Sequence, residues 1–220
     1  MTPTLQIEGL SLDGRDGPGL VRALDLVLHA GERVVLAGPV EATSGILRAV
    51  MGLEPPVAGS VRLLGEELAA LPRGAAEALL ARVGYAPSVG ALLSNLPLRD
   101  NLLLPLRYHR RLGSSEVPEE ASRAAARFGL AAIPVAIPPV VSVLTRRRVT
   151  LARAILLEPA LLVVDDPTED LDAAGADEIA DRLAAAAREL GAAVLAASND
   201  LRVGAALGAR TLLVTPTVRS

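Results

Sequence analysis

"LAGPVEATSGILRAVMGL", residues 36–53, runs from the end of an apolar strand through a loop of small residues into a helix-forming stretch. That order is the setting of a phosphate-binding loop. In such a loop successive backbone N–H groups and a helix N-terminus converge on phosphate oxygens, and a lysine supplies the counter-charge. The full pattern is G-x-x-x-x-G-K-[ST]. Counted forward from Gly38, Thr43 falls at the second glycine, Ser44 at the lysine and Gly45 at the hydroxyl position. Counted back from "LRAVMG", with a loop one residue short, Thr43 takes the lysine position and Ser44 becomes the hydroxyl that would touch Mg²⁺. Neither register holds a lysine, and all 22 basic residues of the chain are arginines, so no distant lysine can substitute. One close ammonium–phosphate contact is worth about 4 kcal/mol at ~4 Å and an effective dielectric of ~20, roughly three decades of affinity before desolvation. Glu41 puts a negative charge where a polyphosphate would lie.

Working outward, short apolar runs alternate with amphipathic ones, the pattern of an α/β domain with buried strands. Strands are expected near 4–8, 21–28, 33–37, 60–64, 82–86, 160–165, 193–197 and 210–215, and helices over 44–53, 74–81, 97–111, 116–129, 145–157, 173–190 and 200–206. Residues 88–158 are nearly all helical and read as a lobe inserted into a core formed by 1–87 and 159–220. The stretch 131–141, "AAIPVAIPPVV", interrupts that lobe, because its three prolines do not fit a helix interior. With 220 residues, 51% of them hydrophobic and 21% charged, the chain can bury a substantial core. Apolar runs fall short of the roughly 18 residues of a membrane span, and the N-terminus lacks a signal-peptide pattern, which predicts a cytoplasmic protein. The absence of cysteine excludes thiolate chemistry, His29 and His109 are too far apart in sequence to suggest a metal pair, and a net charge of −3 argues against nucleic acid.

Five ordered segments carry a family resemblance. "LLVVDDPTEDLDAAGADEIADRL" resembles a Walker B strand with its following acid and D-loop, and "RRRVTLARAILLEPALLVV" the helix after a signature motif. "GLEPPVAGSVRLLGEEL" resembles the segment after a P-loop helix, and residues 36–53 the loop itself. "SVGALLSNLPLRDNLLLPLRYHRRL" is similar to the Q-loop region of MCE or Mla-type phospholipid transporter ATPases. Together they resemble an ABC transporter nucleotide-binding subunit: a P-loop NTPase with a RecA-like core, an N-terminal antiparallel β portion and an inserted helical lobe. The resemblance implies ATP and Mg²⁺ as ligands, a second ABC subunit, and an integral-membrane permease held through the helical lobe. It places the chain peripherally on the inner face of the cell membrane.

Carried over residue by residue, the resemblance exposes departures. Gly38, Pro39, Thr43, Ser44 and Gly45 form the lysine-free P-loop. Ser88 in "VGYAPS" stands at the Q-loop glutamine, and serine is too short to reach equivalently. "VSVLT", 141–145, stands at LSGGQ; Ser142 remains, but Val143 and Leu144 replace glycines whose backbone approaches the partner's γ-phosphate. Asp166 holds the catalytic glutamate position one methylene short, where about 1 Å of misplacement can cost on the order of 10²-fold in rate. Asn199 replaces the switch histidine and cannot shuttle a proton. Leu12 takes the place of the adenine-stacking aromatic. Asp165 keeps the Walker B position toward Mg²⁺. The family pairs one subunit's P-loop with the other's signature, and both halves are altered here. The chain therefore reads as a pseudo-ATPase with weak or absent nucleotide binding, structural or regulatory in a phospholipid transport complex. The rival readings are a functional ATPase that works when assembled and a free-standing module. Bland roles are also expected: Asp172 caps the helix from 173, Arg146–Arg148 lie on a solvated helix face, and Leu98, Leu102 and Leu106 are core.

Overall fold

The computed structural model describes residues 2–14, 17–88, 92–110 and 118–215. Two sheets divide the strands. One is antiparallel, order β2–β1–β4–β5, from β1 (Leu5–Gly14), β2 (Gly17–Leu28), β4 (Ala58–Leu63) and the two-residue β5 (Glu66–Glu67). The other is parallel and five-stranded, order β6–β7–β8–β3–β9, from β3 (Arg33–Ala37), β6 (Val83–Ala86), β7 (Leu161–Asp165), β8 (Ala193–Ala197) and β9 (Arg210–Leu213). The central strands are buried on both faces, so they read as continuous apolar runs rather than alternating ones.

Side chains of the parallel sheet alternate between two cores, as the period of a strand requires. Val34, Leu36, Leu161, Val163 and Leu195 face the antiparallel sheet and α1 (Val40–Val50). Val35, Leu162, Val164, Val194 and Ala196 face a second core shared with the helices between β6 and β7 and with α6 (Ala173–Leu190) and α7 (Leu201–Leu207). Before β6 comes α2 (Arg73–Leu80); between β6 and β7 come α3 (Leu98–Arg110), α4 (Glu119–Arg127) and α5 (Val143–Ile155). Leu98, Leu102 and Leu106 of α3 are fully buried. The proline-rich stretch is extended apart from a 3-10 turn at Pro138–Val140, and it holds the start of α3: the Leu98 and Arg99 amides donate to the Ala136 and Pro134 carbonyls at 2.9 Å each.

Several boundaries differ from expectation. The first hairpin is far longer than 4–8 and 21–28, and β5 is unanticipated. Residue 111 of the 97–111 helix and residues 116 and 117 of the 116–129 helix lie outside the described residues. The difference that matters most is α1, which begins at Val40 rather than at 44.

Candidate functional site

Contacts at the C-terminal ends of β3, β7 and β8 join Ser44 to Asp165 and Gly38 to Asn199, whereas Ser142 stands at the N-cap of α5 and contacts Thr145. Of the two registers of the loop, the geometry matches the shorter. The Ser44 hydroxyl donates to Asp165 Oδ1 at 2.9 Å, the two side chains are buried, and Ser88 helps hold the Asp165 carboxyl down. Thr43 is 4% exposed, and its hydroxyl turns back on its own helix toward the Pro39 and Val40 carbonyls at 3.3 Å each.

The loop passes directly into a helix. Pro39 is the N-cap of α1, and the helix is wound from the next residue. The Ala42 and Thr43 amides donate to the Pro39 carbonyl at 3.0 and 3.1 Å. These two amides are engaged within the first turn of the helix. Gly38, at φ 150°, is pinned from two sides. Asn199 brackets it with its amide, accepting from the Gly38 N–H and donating to the Gly38 carbonyl, both at 2.9 Å. On the other side, a Cβ at Gly38 would meet the Val214 carbonyl oxygen at 2.3 Å, and Val214 N–H donates to the Ala37 carbonyl at 2.8 Å. Fully buried Leu12 lies against α1, 3.5 Å from where a Cβ of Gly45 would stand.

Asp166 leaves β7 with φ 36°, in the left-handed region. Its amide donates to Ala197 O at 2.9 Å and its carboxylate accepts from Ser198 Oγ at 3.3 Å. Burial holds the Asp165 carboxyl above the usual range, the Ser44 bond pulling against it and Asp166 adding to it. Burial likewise raises Asp166, opposed by Ser198 and Arg147. Ser142 caps α5: its hydroxyl accepts from the Thr145 amide at 3.2 Å and meets the Thr145 hydroxyl at 3.0 Å. Leu144 leans on the core beside it. Asp172 caps α6 through the Gly175 amide at 2.8 Å.

The expectation that Arg146–Arg148 form a solvated face is wrong. Arg147 is buried and donates to the Ser88 carbonyl at 3.2 Å and the Glu169 carbonyl at 3.3 Å, so it ties the Q-loop position to the segment after β7. Arg146 reaches the Val141 carbonyl at 2.7 Å, and Arg148 grips both oxygens of Glu178 at 2.7 Å. Sequence position gives the reason for Arg147: at i+3 from Leu144 and i−4 from Leu151 it lies on the apolar stripe of α5. Among the described residues no group of three or more His, Cys, Asp or Glu side chains is placed to hold a metal ion, and Asp165 is the carboxylate bonded to the Ser44 hydroxyl.

A parallel sheet with its strand–turn–helix at Gly38 and an acid ending β7, one strand removed from β3, defines a P-loop NTPase fold. Residues 21–169 match the family model described as ABC transporter. The chain is 31% identical over 206 residues to the "Lipoprotein-releasing system ATP-binding protein LolD" of Hydrogenovibrio crunogenus, covering 91% of this chain and 89% of that protein. It is 33% identical over 196 residues to the protein of the same name from Pseudomonas fluorescens, covering 87% and 85%. In structure it resembles the dimeric ATP-binding cassette MJ0796 bound to ADP and Pi, with a TM-score of 0.83 at 21% identity, covering 96% of this chain and 94% of that one. This chain belongs to the ABC transporter family, as an ATP-binding subunit. Proteins of the family bind ATP with Mg²⁺, dimerise and pair with membrane permease components. Among the described residues of this chain no helix is long and apolar enough to cross a membrane.

Proposed function

We propose that this chain is an ABC subunit that keeps the cassette fold and the surface for a membrane permease but neither binds ATP tightly nor hydrolyses it. The observation that carries this reading is the first turn of α1. It starts at Val40, consumes the Ala42 and Thr43 amides and leaves the lysine position to a buried threonine. A triphosphate does not fit that arrangement without unwinding the turn and displacing the Asn199 bracket on Gly38. Asn199, Asp166 and Ser142 are each engaged with neighbouring protein groups, which supports structural roles at the three positions that chemistry would need. The subunit would sit peripherally on the inner face of the membrane, dimerise with itself or another cassette, and stabilise or regulate its transporter. The cargo class is a lipid or lipid-bearing molecule. The Q-loop region's resemblance to MCE and Mla-type ATPases and the lipoprotein-releasing names of the relatives both support that class.

One observation favours the rival reading, a functional ATPase when assembled: the Ser44 hydroxyl hydrogen-bonds to Asp165 where Mg²⁺ would be held. Thermal melting separates the two. With millimolar Mg-ATP, a site of sub-millimolar Kd stabilises by RT ln(1 + [L]/Kd), about 1.4 kcal/mol at tenfold excess. We expect no Mg-ATP-dependent shift in Tm. A clear shift abolished by Asp165→Ala supports the ATPase instead.

A further inference from the structure

One side chain of α5 joins three segments that lie far apart in sequence. Arg147 is 8% exposed, and its guanidinium forks: one arm donates to the Ser88 carbonyl just after β6 at 3.2 Å, the other to the Glu169 carbonyl in the turn after β7 at 3.3 Å. Both acceptors are main-chain oxygens, so the fork grips the backbone of each segment directly. The turn after β7 is strained. Asp166 at φ 36° and Asp170 at φ 61° stand on either side of Glu169 in the left-handed region, a conformation that persists in such residues where the surroundings hold it. Like charge also gathers there. Burial lowers the Arg147 pKa, and the carboxylates of Glu169, Asp166, Asp170 and Asp165 oppose it, Glu169 Oε2 from 4.0 Å. Glu169 is itself raised by burial and by Asp166, Asp170 and Asp165, and Arg147 pulls against them. The neighbouring arginines serve other places: Arg146 donates to the Val141 and Pro138 carbonyls before its own helix, and Arg148 holds Glu178 of α6.

We propose that Arg147 is an internal latch: its buried guanidinium fastens the first half of α5 to the end of β6 and to the turn after β7, and supplies the positive charge that lets Asp165, Asp166, Glu169 and Asp170 lie close together. Because α5 is the last helix between β6 and β7, the latch fixes that helical segment against the parallel sheet from within the chain. Moving one against the other breaks both bonds and leaves a buried guanidinium without acceptors beside a turn that has lost its counter-charge. The latch bonds no atom of residues 38–45, so it goes beyond the nucleotide reading and is tested without nucleotide.

The test is amide hydrogen exchange of the full-length chain, read by mass spectrometry on peptides covering 83–88, 143–155 and 161–171, for wild type, Arg147→Met and Arg146→Met. Arg147→Met speeds exchange about tenfold or more in both 83–88 and 161–171, whereas Arg146→Met, whose bonds are local, leaves those two segments at wild-type rates. Exchange that rises in 143–155 alone, or in none of the three, overturns the latch. Melting tests the charge: Arg147→Met melts below wild type at low ionic strength, and the gap narrows by several degrees by about 0.5 M NaCl as repulsion among the four acids is screened. A gap that salt leaves unchanged overturns the charge-balancing half of the proposal. Should the methionine variant fail to fold, Arg147→Lys keeps the charge on a stem that has no fork. Its gap to wild type is then insensitive to salt and its exchange is faster in at least one of the two joined segments; wild-type exchange in both overturns the latch.

Discussion

Replacing Thr43 by lysine restores the cation that a phosphate loop requires, at the position the shorter register gives it. If charge alone were missing, the substitution would add about 4 kcal/mol of attraction to a bound phosphate, and nucleotide binding would return. The geometry predicts otherwise. Thr43 is 4% exposed, its amide is bonded to the Pro39 carbonyl, and its hydroxyl turns back toward the helix. A lysine there must either bury its ammonium, which lowers a lysine pKa by up to 3–5 units at about 1.4 kcal/mol each, or bend its stem toward the exposed Pro39–Glu41 edge. It also places positive charge in the first turn of α1, at the positive end of the helix dipole, worth about 0.3–1 kcal/mol against folding. The net loss is about 2–4 kcal/mol, or roughly 5–15 °C in Tm for a chain of this size. Differential scanning calorimetry of Thr43→Lys with and without Mg-ATP measures both effects. We expect a lower Tm in each and no nucleotide-dependent difference. A Thr43→Lys protein that melts as high as wild type and gains a Mg-ATP shift refutes the reasoning, because the loop would then have been open all along.

Three further outcomes follow from individual contacts. Gly38→Ala drives a methyl into the Val214 carbonyl in a backbone conformation almost confined to glycine, and lowers stability in denaturant titration by about 2–4 kcal/mol. Ser142→Ala removes the cap of α5 and costs about 1 kcal/mol by the same titration, without altering any response to nucleotide. Asp165→Asn reports on the raised carboxyl. Its folded pKa lies above the unfolded 3.8, so the stability it contributes is present below 3.8 and is lost as pH rises through the folded value. The variant therefore matches wild type in denaturant titrations near pH 3.8 and is the more stable of the two at neutral pH; the reverse order would contradict the burial argument.

Most of the scaffold was legible because its signals are local. The core strands β3, β7 and β8 are apolar runs bounded by turn residues, and they fall within a residue of expectation. The bounds of α6 follow from Asp172 as N-cap and Gly191 as a left-handed C-cap. The start of α1 was missed because the phosphate-loop template fixed it at Ser44. A purely local reading of Pro39, then Glu41 and Ala42 in a first turn, would have started the helix four residues earlier. Arg147 was misplaced because the family resemblance implied a solvated basic face there, although its spacing from Leu144 and Leu151 put it on the buried stripe. The Asn199 bracket on Gly38 joins residues 161 positions apart, and no local pattern encodes it.

Isothermal titration of the purified chain with Mg-ATP at millimolar concentration addresses the closed loop most directly. No heat of binding above dilution is expected. A saturable isotherm with sub-millimolar Kd, lost in Asp165→Ala, would contradict it.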